Sequence, residues 1–279
     1  MGFFGRKRAP SVPHPRKEPR FDGPLTLKRL EQIFQDCVDF TKRPVSLGEG
    51  GACTLTLCYL SGMVKMERVS DYVLRPLAQD EALARCGTPR QAMEEMMGGA
   101  LYNLSAAERT TLDEAAFDLV AGWCLMFFPG ESAVLSLFVG TEEKRSISSP
   151  SNETVLKGSR DAFVESLRTN TSIVRRHLKT PELRIREQVV GRQSVTSVDI
   201  LYIEGLTNPH LVEQVAAQLA DIDIDAVLAT GNIEEYIVPA ARTAFPLVQY
   251  TERSDRFCAG LAEGRVGILI DGLPLGYLA

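Results

Sequence analysis

No apolar run in this sequence is long enough to cross a bilayer. A spanning helix needs about 20 consecutive apolar residues, and the nearest approach, Trp123 to Phe128, ends at once in Pro129-Gly130. A secretory pattern is also missing, because Met1-Gly2-Phe3-Phe4 runs into Arg6-Lys7-Arg8 with no apolar stretch behind it. Both absences predict a soluble, cytosolic chain. Histidine is scarce, with copies only at His14, His177 and His210. The six cysteines (Cys37, Cys53, Cys58, Cys86, Cys124 and Cys258) form no Cys-x-x-Cys pair. Metal sites need clustered ligands, so this spacing predicts no metal, no cofactor and mostly buried, reduced thiols. An excess of positive charge is lacking too. A net charge of -5 argues against a dedicated nucleic-acid binder, which would present a basic face.

Catalytic patterns are equally sparse. Gly48-Glu49-Gly50-Gly51 lacks the Lys-Ser/Thr that grips phosphate, and it precedes a strand where a phosphate loop would open a helix. Asp221-Ile222-Asp223-Ile224-Asp225 resembles a calcium loop only at its start. The sixth and twelfth places, which require Gly and Glu, hold Ala226 and Asn232. The alternation instead predicts a half-buried strand with its acids outward. No Gly-x-Ser-x-Gly elbow exists, and Glu94-Glu95 and Glu234-Glu235 read as solvated helix charges. These features predict that the chain is not an enzyme.

What is present is a tail and a repeat. Residues 1–23 hold four prolines and six Lys or Arg, a composition that predicts a disordered basic tail. Beyond it, Cys53 to Leu60 followed by Gly62 matches Val198 to Ile203 followed by Gly205. Gly122 to Gly130 likewise matches Gly264 to Gly272, and all these pairs are offset by 142 or 143 positions. Shared order and offset predict two tandem, similar α/β subdomains with mixed sheets, spanning 24–147 and 148–279. The linker is expected at Glu142 to Asn152.

Each unit is expected to open with an amphipathic helix, at Leu25 to Phe40 and at Asp161 to Leu178. Asn208-Pro209 predicts a helix start, as do Ser105 with Glu108, Thr111 with Glu114, and the acidic run after Thr251. Asp271-Gly272 predicts a two-residue hairpin turn. The structural glycines and turn residues are thus Gly62, Gly130, Gly205, Gly264, Asp271 and Gly272.

The second half also carries a resemblance. Glu153 to Phe163, with Gly158-Ser159-Arg160 inside it, is similar to the opening motif of the GerA spore germination family. Asn170, the run Ile173-Val174-Arg175-Arg176-His177 before Pro181-Glu182-Leu183, Thr251-Glu252-Arg253-Ser254-Asp255, and Glu263-Gly264-Arg265-Val266 with Asp271-Gly272-Leu273-Pro274 continue it. Ser159 and Ser254 stand where the family usually has Pro, and His177 where it has Arg. The resemblance is dense from about 153 to 274 and looser over 25–147.

It implies the soluble, cytosol-facing N-terminal part of a nutrient germinant receptor A subunit, held at the spore inner membrane through a missing C-terminal region. Expected partners are B- and C-type receptor subunits and further A subunits, with roles in assembly and signalling. Arg160, Arg175, Arg176, Glu252, Arg253 and Asp255 are the candidate partner-binding residues. The alternative is a two-lobed domain that senses a small molecule.

Overall fold

The computed structural model describes residues 20–47, 53–100, 105–140, 161–227 and 247–279. It divides into two compact units, Met1–Gln35 with Asp39–Glu142, and Asp36–Val38 with Glu143–Ala279.

In the first unit, helix α1 (Leu27–Ile33) precedes the paired strands β1 (Phe40–Leu47) and β2 (Cys53–Leu60). Short helices α2 (Met66–Val69), α3 (Arg75–Gln79), α4 (Glu81–Ala84) and α5 (Pro89–Glu95) follow, with π-helical turns at Ser70–Leu74 and Met96–Ala100. Then come β3 (Ala106–Arg109), α6 (Leu112–Val120), β4 (Trp123–Phe127) and β5 (Val134–Phe138), giving the sheet order β1-β2-β4-β5-β3. The central strands carry apolar side chains on both faces. Leu55, Leu57, Tyr59, Cys124, Met126, Leu135 and Leu137 pack with Val69, Val73, Leu77 and Met93 from the short helices. The other face receives α6.

The second unit repeats the plan with α7 (Leu167–His177), β6 (Leu183–Val190), β7 (Thr196–Ile203), α8 (Pro209–Ala220), β8 (Gln249–Thr251), α9 (Ser254–Ala262), β9 (Gly267–Ile270) and β10 (Gly276–Leu278). Its order, β6-β7-β9-β10-β8, has the same topology as the first sheet. Val198, Ile200 and Tyr202 of β7 point toward α8 and join Val212, Val215 and Leu219. Leu201 points the other way, into a core with Leu167, Val174, Phe257 and Leu261 of α7 and α9. This alternation on a strand covered on both faces makes a three-layer unit.

The correspondence extends to register. β1 and β6 start 143 positions apart, as do β2 and β7, while α6 and α9 are 142 apart and equal in length. Leu125 faces Ser136 across β4 and β5, and Gly267 faces Leu278 across β9 and β10. Gly130 and Gly272 both lie in the turn of the closing hairpin, at φ +79° and +82°. These backbone values favour glycine because it has no Cβ. Gly122 and Gly264 likewise share positive φ after α6 and α9. Gly62 and Gly205 both follow the second strand, but only Gly205 adopts a positive φ.

Several expectations are corrected. All the named strands pair antiparallel, so the sheets are not mixed; the parallel contact among the described residues is the isolated bridge Cys37–Ile185. The helix expected over Leu25 to Phe40 stops at Ile33, where Phe34 turns to stack on Phe40 at 5.3 Å and Asp36–Val38 runs along β6. The helix expected from Asp161 begins at Leu167, because the Asn170 side chain holds both the amide and the carbonyl of Val164. Ser105 with Glu108 opens no helix, since Ala106–Arg109 pairs with β5. Residues 222–225 are not a strand but brace the β6–β7 turn, through Arg192 N–H to Ile224 O and Gln193 N–H to Asp225 O. The closing turn is longer than two residues, running from Ile270 to Gly276.

Of the tail, residues 20–23 are described, and Arg20 and Phe21 both donate backbone N–H to the buried carboxylate of Asp113 at 3.0 and 3.2 Å. Residues 1–19, the linker, Glu234-Glu235 and the Gly48 to Gly51 cluster lie outside the described residues.

Candidate functional site

The motif residues that the sequence spreads over a hundred positions converge on one segment, 161–165. Three elements hold it. Phe163 N–H bonds to Glu252 O at 2.8 Å, and Ser254 returns both its N–H and its hydroxyl to Asp161 O. Asn170 grips Val164 at 2.8 and 2.6 Å, as an amide side chain can by donating and accepting together. At the far end, Gly272 N–H bonds to Glu165 O, and Asp271 accepts Leu167 N–H at 3.1 Å.

Thr251 to Asp255 forms the other wall. Thr251 Oγ1 accepts the N–H of Arg253, while Asp255 in the first turn of α9 takes the guanidinium of Arg253 in a two-point fork at 3.0 and 2.7 Å. A fork of this kind is stronger and more directional than a single ionic bond. That bond to Arg253, chiefly, lowers the Asp255 pKa against the smaller opposing effect of burial.

His177, the last residue of α7, reaches across to α9. Its Nε2 lies 3.2 Å from Ser254 Oγ and 3.7 Å from Asp161 Oδ2. Two of the three positions that depart from the family's pattern, His177 and Ser254, are therefore in contact with each other. Ser254 spends its proton on Asp161 O, so its oxygen is the acceptor for His177. One imidazole nitrogen meets both oxygens, and that geometry does not relay a proton from a serine to a carboxylate through the two ring nitrogens, as a hydrolase triad does.

The arginines at the end of α7 separate. Arg175 is fully buried, with Nη1 donating to Leu183 O at 2.9 Å, and the expectation of a partner-binding Arg175 is corrected to a structural one. The helical period turns the next residue outward, and Arg176 is exposed. Glu252, Arg253 and Asp255 are partly exposed beside the clamp. Arg160 lies outside the described residues.

Two polar clusters carried no recognisable sequence signal. In the first unit Arg109 and Asp118 form a buried two-point ion pair at 2.7 and 3.3 Å, joined by the Ser136 hydroxyl at 2.7 Å. In the second, Arg186 lies over the Tyr202 ring and bridges Asp36 and Glu213, and burial pushes the Tyr202 phenol up to about 12. A groove of about 530 Å³ runs by β8 and β10, lined by Leu247, Gln249, Tyr250, Arg265 and Leu278 among others. No group of His, Cys, Asp and Glu among the described residues is placed to hold a metal ion. None of the described helices is long and apolar enough to cross a membrane.

Comparison with known proteins decides the family. Residues 28–279 match the family model described as Bacillus/Clostridium GerA spore germination protein. The chain belongs to the GerA family.

Among relatives in Bacillus subtilis, it is 35% identical to the uncharacterized membrane protein YfkQ, over 89% of this chain and 47% of that protein. It is 32% identical to spore germination protein KA, over 86% of this chain and 44% of that one. The chain thus spans less than half the length of these two relatives. The crystal structure of the N-terminal domain of the A subunit of the Bacillus megaterium spore germinant receptor GerK3 superposes with a TM-score of 0.70 at 27% identity, covering 93% of this chain and 97% of that one. The two-unit fold is thus the fold of a GerA-family A-subunit N-terminal domain.

Proposed function

We propose that this chain is the cytosol-facing N-terminal domain of a germinant receptor A subunit, a non-catalytic module for receptor assembly and signalling in spore germination. The observation that carries the reading is the near end-to-end likeness to the GerK3 A-subunit domain. A membrane setting is supported by the relatives, one of which is named a membrane protein and is about twice as long. The partners in this reading are B- and C-type receptor subunits and further A subunits, and the receptor sits in the spore inner membrane. The non-catalytic reading is supported by the use the molecule makes of its motif residues. Asn170, Thr251, Ser254 and Asp271 serve backbone groups, and Asp255 serves Arg253.

Surface contact then falls to Arg176, with Glu252, Arg253 and Asp255 beside the clamp. A guanidinium recognises carboxylates in a fixed fork, which suits it to subunit contacts. The test is Arg176→Glu in the full-length receptor, with circular dichroism of the purified domain beside a germination assay on spores carrying the variant. The expected outcome is a folded domain and loss of the nutrient response. Normal germination would refute the contact role.

A further inference from the structure

The segment Asp36–Val38 groups with the second unit, although the residues on either side of it belong to the first. It lies parallel along the outer edge of β6. Val38 N–H bonds to Ile185 O at 3.0 Å, and Ile185 N–H bonds to Asp36 O at 2.9 Å. Cys37 Sγ reaches Leu183 O at 3.4 Å. The Asp36 carboxylate meets Arg186 Nη2 at 3.2 Å and the Tyr202 hydroxyl at 3.4 Å. Arg186 is in turn fixed by Glu213 at 2.6 Å and by the face of Tyr202.

This is strand addition, in which backbone bonds give affinity and a side-chain pocket gives selectivity. Here the selective element is a guanidinium and a phenol that recognise a carboxylate one residue before the bridged position. The attachment is short, and Val38 is exposed. Sheet edges held by so few bonds open more readily than strands in the sheet interior.

We propose that the outer edge of β6 is a strand-acceptor site for the segment Asp36–Val38 of a second copy of this chain, filled in the structure by the chain's own segment. The occupant follows from the fit, because a second copy carries the same carboxylate at the spacing that Arg186 and Tyr202 read. Exchange of a short segment between copies is a low-cost route to association.

The probe is a fluorescent peptide of residues 33–40, titrated into the full chain carrying Val38→Pro. Proline removes the amide that bonds to Ile185 O and so frees the site. The variant is expected to bind the peptide at least ten times more tightly than the unaltered chain. A peptide with Asp36→Asn is expected to bind about ten times more weakly, since it loses a charge-assisted bond. Absence of binding to a folded variant would overturn the acceptor site. Equal binding of the two peptides would mean that the edge takes any strand, and would overturn the assignment to a second copy. Should Val38→Pro fail to fold, hydrogen exchange on the unaltered chain decides. The Val38 and Ile185 amides should exchange together and faster than Leu201 in the sheet centre, and equal protection would reject the proposal.

Discussion

Asp271 caps a helix that begins 104 residues before it, accepting the N–H of Leu167 at 3.1 Å from the turn of the last hairpin. The residue in the N-cap position, Ser166, makes no side-chain cap bond of its own. The start of α7 is therefore tied to the turn after β9, and a local-looking turn residue serves a distant helix. Removing an N-cap oxygen typically costs about 1 kcal/mol. Asp271→Ala should lower the unfolding free energy read from urea denaturation by that amount, and Asp271→Asn, which keeps an acceptor, should lose less. Equal losses would show that the cap bond is not what Asp271 supplies.

Arg175 and Arg176 should respond in opposite ways. Arg175→Ala removes a fully buried side chain and leaves the Leu183 carbonyl without that donor, a loss on the order of 3 kcal/mol. Arg176→Ala at an exposed position should stay within about 0.5 kcal/mol. Denaturant unfolding of both variants followed by circular dichroism checks the contrast, and similar losses would contradict it.

The repeat was legible because glycines with positive φ and hairpin ends keep their spacing, and the 142-residue offset between Gly130 and Gly272 survives into closing turns of matching φ at the same place in each sheet order. Asn208 capping α8 and Thr111 capping α6 were equally readable, since both act within a few residues. Long-range relations were not. Nothing local to Phe34–Phe40 says that Asp36 will bond to Arg186, 150 positions away, so helical periodicity carried the reading too far. The clamp residues were found by resemblance, but their role was misjudged at Arg175. Adjacent arginines look alike in a sequence, while the helical turn buries one and exposes the other.

Thiol chemistry should separate the cysteines by burial. Cys37, Cys58, Cys124 and Cys258 are buried, and desolvation pushes Cys58 and Cys258 up to about 12 and Cys124 well above its ordinary value. Cys86 is only partly buried. Since the thiolate is the reactive form, Cys86 should label first of these five with a disulfide reagent at pH 8. Mass spectrometry of labelled peptides reads the order, and earlier labelling at Cys58 would contradict the buried placement.

The fork between Arg253 and Asp255 predicts a pH dependence with a definite sign. The Asp255 pKa is depressed in the folded state, first by its bond to Arg253. A depressed carboxylate stabilises the fold above its unfolded pKa of about 3.9, and that stabilisation is lost as pH falls through the lower folded value. The pair is partly exposed, so its contribution is about 1 kcal/mol or less. Melting temperatures of the unaltered chain and of Asp255→Asn should differ at pH 6 and converge at pH 2 to 3. A constant difference would remove the fork from the account.

The last prediction comes from comparing the two units at one place. Asp118 is the seventh residue of α6, and Gly260 is the seventh of α9. Ser136 faces Leu125 across its hairpin as Leu278 faces Gly267, so the 142-residue offset holds there too. In the first unit the space holds the Arg109–Asp118 pair and the Ser136 hydroxyl. In the second, Leu278 fills it so closely that a Cβ on Gly260 would lie 2.6 Å from Leu278 Cδ1. One fold has thus filled one site in two ways, by a buried ion pair and by a leucine over a glycine. A buried pair contributes little net stability compared with well-packed apolar residues, yet removing one partner leaves the other charge stranded, at about 3–5 kcal/mol. Arg109→Ala should therefore destabilise the chain by that amount. Arg109→Met combined with Asp118→Leu should cost clearly less than the sum of the two single changes. The coupling, read from urea unfolding of the four proteins in the cycle, should be about 2 kcal/mol. Strict additivity would show that the two side chains do not depend on each other, and the ion pair would then have no part in holding the first unit together.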